Sequence, residues 1–110
     1  MAKTSPYETG ELTDSIFLIL LVTLQPIHGY RIMQQVTDMT DGNVTIGPAT
    51  MYTTLKKLKE SGWILDIDEE DGKILYQVTE EGREILKRNF DYRKRLITIA
   101  EKWFGGRGNG

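Results

Sequence analysis

The 110-residue sequence contains no cysteine and a single histidine, His28. Without thiols there can be no disulfide, no thiolate metal site and no cysteine nucleophile, a composition that fits a reducing compartment. One histidine supplies neither a metal-ligand cluster nor a base paired with a nucleophile, and no glycine-rich phosphate loop is present. An enzyme is therefore not expected, and neither is a metal or a cofactor. Long apolar runs are also missing, since the longest, Ile16 to Val22, falls far short of the roughly 18 to 20 residues that cross a bilayer. Glu8, Glu11 and Asp14 precede that run where a secretory signal would be basic. A cytoplasmic chain without a membrane partner is the expectation. Nor is one sign of charge in excess: 14 Lys and Arg against 16 Asp and Glu give a net charge of -2. Any affinity for a polyanion must be local.

What is present is enough apolar content, 39%, to close one core. Residues 1–11 carry Pro6 and Gly10 with no sustained period, and read as an N-terminal arm that is flexible unless something docks it. Thr13 is the expected N-cap of a first helix running to about Leu24, with Asp14 at the positive end of its dipole. Apolar on every side, this helix must be buried all round, against its own domain and a dimer partner; Phe17 and Leu21 are assigned to that interface. A second helix spans about Tyr30 to Met39, where Ile32, Met33, Val36 and Met39 recur at helical steps. Val44 to Ile46 suggests a very short strand. Gly47-Pro48 then opens a third helix that Gly62 stops after Ser61, with Met51, Leu55 and Leu58 inward.

Beyond Gly62 the period changes to two, with Trp63, Leu65 and Ile67 alternating, then Ile74, Tyr76 and Val78. Asp71-Gly72 between the runs predicts a tight hairpin turn at a charged tip. A last helix runs from Thr79 to about Phe104, about 37 Å at 1.5 Å per residue, and residues 105–110 read as a flexible tail. The expected fold class is mainly α with a small β-hairpin (α+β). Residues 12–79 form a winged helix-turn-helix and residues 80–104 a long C-terminal dimerisation helix.

In that arrangement the third helix enters the major groove, and the side chains on its outer sides decide whether it suits one. Here they are Ala49, Thr50, Tyr52, Thr53, Lys56 and Lys57. Small residues permit close approach, hydroxyls reach phosphates or bases, and lysines meet phosphates. No acidic residue lies between Asp41 and Glu60, so the stretch is locally positive inside an acidic chain. On the last helix, Ile85, Leu86, Phe90, Tyr92, Leu96, Ile97, Ile99, Ala100, Trp103 and Phe104 cover about half of the wheel. One small domain needs a narrower stripe. The surplus points to a two-fold interface involving Phe90, Leu96, Ile97, Ala100, Trp103 and Phe104. Asn89 and Arg93 fall inside this arc and are expected to face a partner's carboxylate or a wet cavity. The cluster Lys87, Arg88, Arg93, Lys94 and Arg95 reads as a solvated face, and Trp63 as core.

Taken together, Leu12-Thr13 before the apolar helix, His28-Gly29-Tyr30, Gly47 to Tyr52 followed by Leu55-Lys56-Lys57-Leu58, Gly62, Asp71-Gly72-Lys73 and Tyr76 to Gly82 resemble the PadR family of bacterial transcription regulators in order and spacing. The resemblance covers about residues 11 to 100. It implies a winged-helix regulator, expected to be a ligand-responsive repressor, that binds double-stranded DNA at a pseudo-palindromic operator as a homodimer joined through its last helix. Mapped residue by residue, the implied readers are Thr50, Tyr52, Thr53 and Lys56, with Tyr30 on the second helix and Lys73 on the wing. One branch of that family holds flat aromatic effectors at the dimer interface, using an aromatic side chain that aligns with Arg93. Asn89, Phe90 and Arg93 are therefore the candidate effector pocket. The wing departs from the pattern, since Asp68, Glu69, Glu70 and Asp71 leave Lys73 its only cation. The competing expectation is a winged-helix module that mediates protein assembly without reading DNA.

Overall fold

The structure is a computed structural model and describes residues 5–106. Its elements are α1 (Pro6–Thr9), α2 (Asp14–Val22), β1 (Ile27–His28), α3 (Gly29–Met39), α4 (Pro48–Glu60), β2 (Ile64–Glu70), β3 (Lys73–Val78) and α5 (Glu80–Glu101), the last continued by a wider π-type turn (Lys102–Gly106). The sheet is antiparallel in the order β1-β3-β2. One core joins the helices to the base of the sheet through Ile19, Leu20, Ile32, Val36, Met51, Leu55, Leu58 and Ile64. This is a winged helix with a long C-terminal helix.

Local chemistry explains the boundaries. The Thr13 hydroxyl accepts the Ile16 N–H at 3.2 Å, the N-cap expected from the sequence. α2 ends at Val22, short of Leu24, because the Thr23 hydroxyl donates to the Leu20 carbonyl at 2.6 Å and the chain turns there. Gly47 precedes Pro48 at the start of α4, where the missing proline N–H has no intrahelical partner to lose. Asp71 and Gly72 both have positive φ, 52° and 74°, the conformation that a tight two-residue hairpin requires. The Thr79 hydroxyl accepts the Gly82 N–H at 3.0 Å and donates to the Gly62 carbonyl at 2.6 Å, fixing the start of α5 against the wing's base. Gly82 permits this docking, since a Cβ there would lie 2.1 Å from the Trp63 carbonyl oxygen.

Two expectations about strands need correction. Val44 to Ile46 forms no strand, because the Thr40 hydroxyl accepts the Val44 N–H at 3.0 Å and donates to the Val36 carbonyl at 2.8 Å, closing a local turn instead of a ladder. The short third strand is β1, before α3, with Ile27 opposite Tyr76 and His28 opposite Leu75. The inward set of the hairpin also differs. Trp63 and Ile64 are buried while Leu65, Ile67 and Ile74 are exposed, because Trp63 precedes the strand and β2 is irregular between Asp66 and Asp68. Only Tyr76 and Val78 of the expected β3 set reach the core.

Residues 6–12 are docked on their own chain. Tyr7 stacks on Trp63 with ring centroids 6.1 Å apart, and Leu12 belongs to the core. The tail assigned to 105–110 lies largely outside the described residues, as do residues 1–4 of the arm and the acidic side chains at positions 68–70.

Candidate nucleic-acid interface

α4 buries Met51, Thr54, Leu55 and Leu58 and leaves its opposite side open. Ala49, Thr50, Thr53, Lys56 and Lys57 are all exposed, and Tyr52 is 49% exposed. The first-turn N–H groups of Ala49 and Thr50, with the positive end of the helix dipole, lie at the same exposed end, where an oxyanion can be received. Tyr52 is held on one flank by its neighbour α3: a Cβ at Gly29 would come within 2.9 to 3.2 Å of the Tyr52 ring and hydroxyl. Gly29 thus acts as a seat for that ring. Tyr30, in the first turn of α3, is 59% exposed, and Lys73 is exposed at the start of β3.

Of the lysines on α4, Lys59 is engaged within the chain. Its Nζ donates to Asp66 at 2.8 Å, and this hydrogen bond raises the Lys59 pKa above its ordinary value. Lys57 leans the other way, its Nζ 5.7 Å from the centre of the Tyr7 ring. Lys56 stands between them on the outer side. Sequence reading identified Lys56 and Lys57 but missed Tyr7, whose place beside α4 depends on contacts with no local periodic signal.

The residues assigned to α5's interface separate into two groups. Ile85, Leu86 and Asn89 are buried in its first half, whereas Phe90, Leu96, Ile97, Trp103 and Phe104 are exposed, Trp103 at 75% and Phe104 at 91%. Ala100 is half-buried, as are Phe17 and Leu21 of α2.

Asn89 and Arg93 border an open cavity, one of the two expected settings, and also find partners within the chain. Asn89 Nδ2 donates to the Gly10 and Ile85 carbonyls, both at 2.8 Å, and its Oδ1 accepts the Leu12 N–H at 2.9 Å. Arg93 donates to the Leu12 carbonyl at 3.1 Å and to the Asp14 carboxylate at 2.8 Å, with its guanidinium 4.4 Å from the centre of the Phe17 ring. Both are therefore satisfied within the chain, holding residues 10–14 on α5, and neither waits for a partner's carboxylate. An open cavity of about 660 Å³ lies beside them, bordered by Gly10, Leu12, Tyr92, Arg93 and Leu96; Phe90 does not line it. Among the described residues no cluster of metal-ligating side chains occurs, and no helix is long and apolar enough to cross a membrane.

The fold and its exposed third helix define the winged-helix class. Residues 18–88 match the Transcriptional regulator PadR-like family, and the chain belongs to that family. It is 32% identical over 93 residues to the transcriptional regulator YqjI of Escherichia coli (strain K12), an alignment spanning 84% of this chain and 42% of that protein. The chain thus spans less than half the length of the curated relatives that it matches. Among solved structures, a transcriptional regulator from Clostridium thermocellum superposes with a TM-score of 0.70 at 21% identity, covering 94% of this chain and 99% of the other. A PadR family transcriptional regulator from Eggerthella lenta superposes with a TM-score of 0.68 at 20% identity, covering 82% and 80%. At those identities the likeness is one of fold.

Proposed function

We propose that this transcriptional regulator binds double-stranded DNA through the outer side of α4 and does so as a homodimer. The observation that carries the reading is the character of that surface: small, hydroxyl-bearing and lysine side chains together on an exposed helix, in a stretch without acids from Gly42 to Lys59. Thr50, Tyr52 and Thr53 face base edges and Ala49 lets the helix approach them. Lys56 and Lys57 meet phosphates, with Tyr30 and Lys73 at the margins.

The exposed apolar side chains of distal α5 support the two-fold assembly, because Leu96 and Ile97, with Phe104 just beyond, are large apolar groups that a second copy would cover. Two α4 helices related by that symmetry meet half-sites about 34 Å apart or a multiple of it. The operator is then pseudo-palindromic and the working compartment is the cytoplasm. Repression relieved by a small aromatic effector rests on the family resemblance; the effector's neighbours are then Asn89, Tyr92, Arg93 and Leu96 around the cavity, without Phe90.

Selection of duplexes from random sequence by the full chain, followed by titration across salt, tests the reading. An enriched half-palindrome whose affinity falls steeply with salt is the expected result. Failure to enrich any motif favours the assembly-module alternative.

A further inference from the structure

Tyr7 lies outside the winged helix that the family match covers, yet it touches the reading helix. Its ring is stacked on Trp63 at 30° between planes, and Lys57 of α4 lies over it at 5.7 Å. Burial raises the pKa of the Tyr7 hydroxyl, and the buried Thr54 side chain of α4 acts on it in the opposite direction. The ring is therefore bounded by the wing's base, the core side of α4 and a cation on the flank of α4.

The backbone behind Tyr7 is fixed as well. Ser5 caps the turn of α1 by accepting the Tyr7 N–H at 3.2 Å, and Gly10 takes a φ of 78° to redirect the chain toward α2. Asn89 then holds the Gly10 carbonyl and the Leu12 N–H, and Arg93 holds the Leu12 carbonyl. Residues 5–14 thus run from α4 to α5 with an anchor at each end. A lysine on a helix flank ordinarily samples many rotamers and loses that freedom when it meets a phosphate. A ring face beneath the ammonium narrows the arc in advance, without removing charge or donors.

We propose that Tyr7 is a positioning residue for DNA binding: its ring holds Lys57 at the edge of α4, poised for the phosphate backbone flanking the major groove. The proposal rests on the DNA-binding reading above. It adds to the interface a residue that contacts no base and comes from the segment preceding the winged helix.

The test measures affinity of the full chain for a duplex selected from random sequence, across salt, for Tyr7→Phe, Tyr7→Leu, Lys57→Ala and the double variant Tyr7→Leu/Lys57→Ala. Tyr7→Phe keeps the ring and should bind as the unaltered chain does. Tyr7→Leu should lose about two- to fivefold, the worth of an exposed cation–ring contact. Lys57→Ala should lose at least as much and flatten the salt slope by about 0.9 for each subunit that contacts the duplex, and the double variant should bind no worse than Lys57→Ala. Incorporating phenylalanines of increasing fluorination at position 7 preserves the ring's bulk while removing its attraction for cations, and reads the same contact even if Tyr7→Leu does not fold; affinity should fall along that series. Equal affinity throughout the fluorinated series, or an undiminished loss from Tyr7→Leu in the Lys57→Ala background, overturns the proposal. So does unchanged binding by Lys57→Ala, a result that leaves the DNA-binding reading standing. If the unaltered chain selects no duplex, the DNA-binding reading fails first and the role of Tyr7 falls with it.

Discussion

The outer side of α4 and the distal half of α5 are both exposed helical surfaces, and they differ in what water does at each. α4 offers hydroxyls, small residues and lysines that water solvates well, a surface to which a polyanion with matching donors and acceptors is suited. The distal half of α5 and the π-type turn that continues it offer Leu96, Ile97, Ile99, Trp103 and Phe104, large apolar groups whose exposure is unfavourable by about 25 cal/mol per Å² of apolar surface. Exposure alone does not name a function. In the proposed reading, the chemistry of the exposed atoms suits DNA at one surface and a second copy of the chain at the other.

The sharpest way to break this comparison is to alter α5. Ile97→Asp or Trp103→Ala should weaken self-association by roughly a hundredfold, since losing a large buried side chain costs about 3 kcal/mol or more. Sedimentation would show a shift to monomer mass with helical content retained. Unchanged mass would show that this surface is not the interface.

Next in size is the link between the N-terminal segment and α5. Asn89→Ala strands the Leu12 N–H and the Gly10 carbonyl in a buried place, at a cost of about 2 kcal/mol. Thermal unfolding should move down by roughly 10 °C, and a shift near zero would mean that water replaces the amide without loss. The smallest effect is expected at Gly29. In Gly29→Ala the added methyl displaces the Tyr52 ring, which can swing outward. Stability should change little while DNA affinity falls about threefold, a fraction of one good base contact. The opposite pattern, lost stability with intact binding, would show the ring to be a packing group.

Much of this architecture can be read from local pattern. The Thr13 cap, the proline at the start of α4, the Asp71-Gly72 turn and the inward set Met51, Leu55 and Leu58 are all consequences of residues within four positions of one another. The outer side of α4 follows from the same spacing. What escaped depends on distant partners: Asn89 and Arg93 bond to groups 77 to 81 residues away, so their place in an apolar arc suggested a partner molecule where the chain itself supplies one. β1 escaped for a related reason, since two residues carry no period and exist as a strand only because β3 lies beside them. Ile67 and Ile74 misled because alternation marks a strand without showing how far the core extends beneath it.

The central claim is that the outer side of α4 carries the contact with DNA, and Lys56 is the residue to question. Titrating the unaltered chain and Lys56→Ala against a selected duplex over a range of salt should give straight log–log plots, the variant's being shallower by about 0.9 per lysine removed in each subunit that contacts the duplex. Parallel plots of equal affinity would place the duplex elsewhere on the molecule and contradict the account.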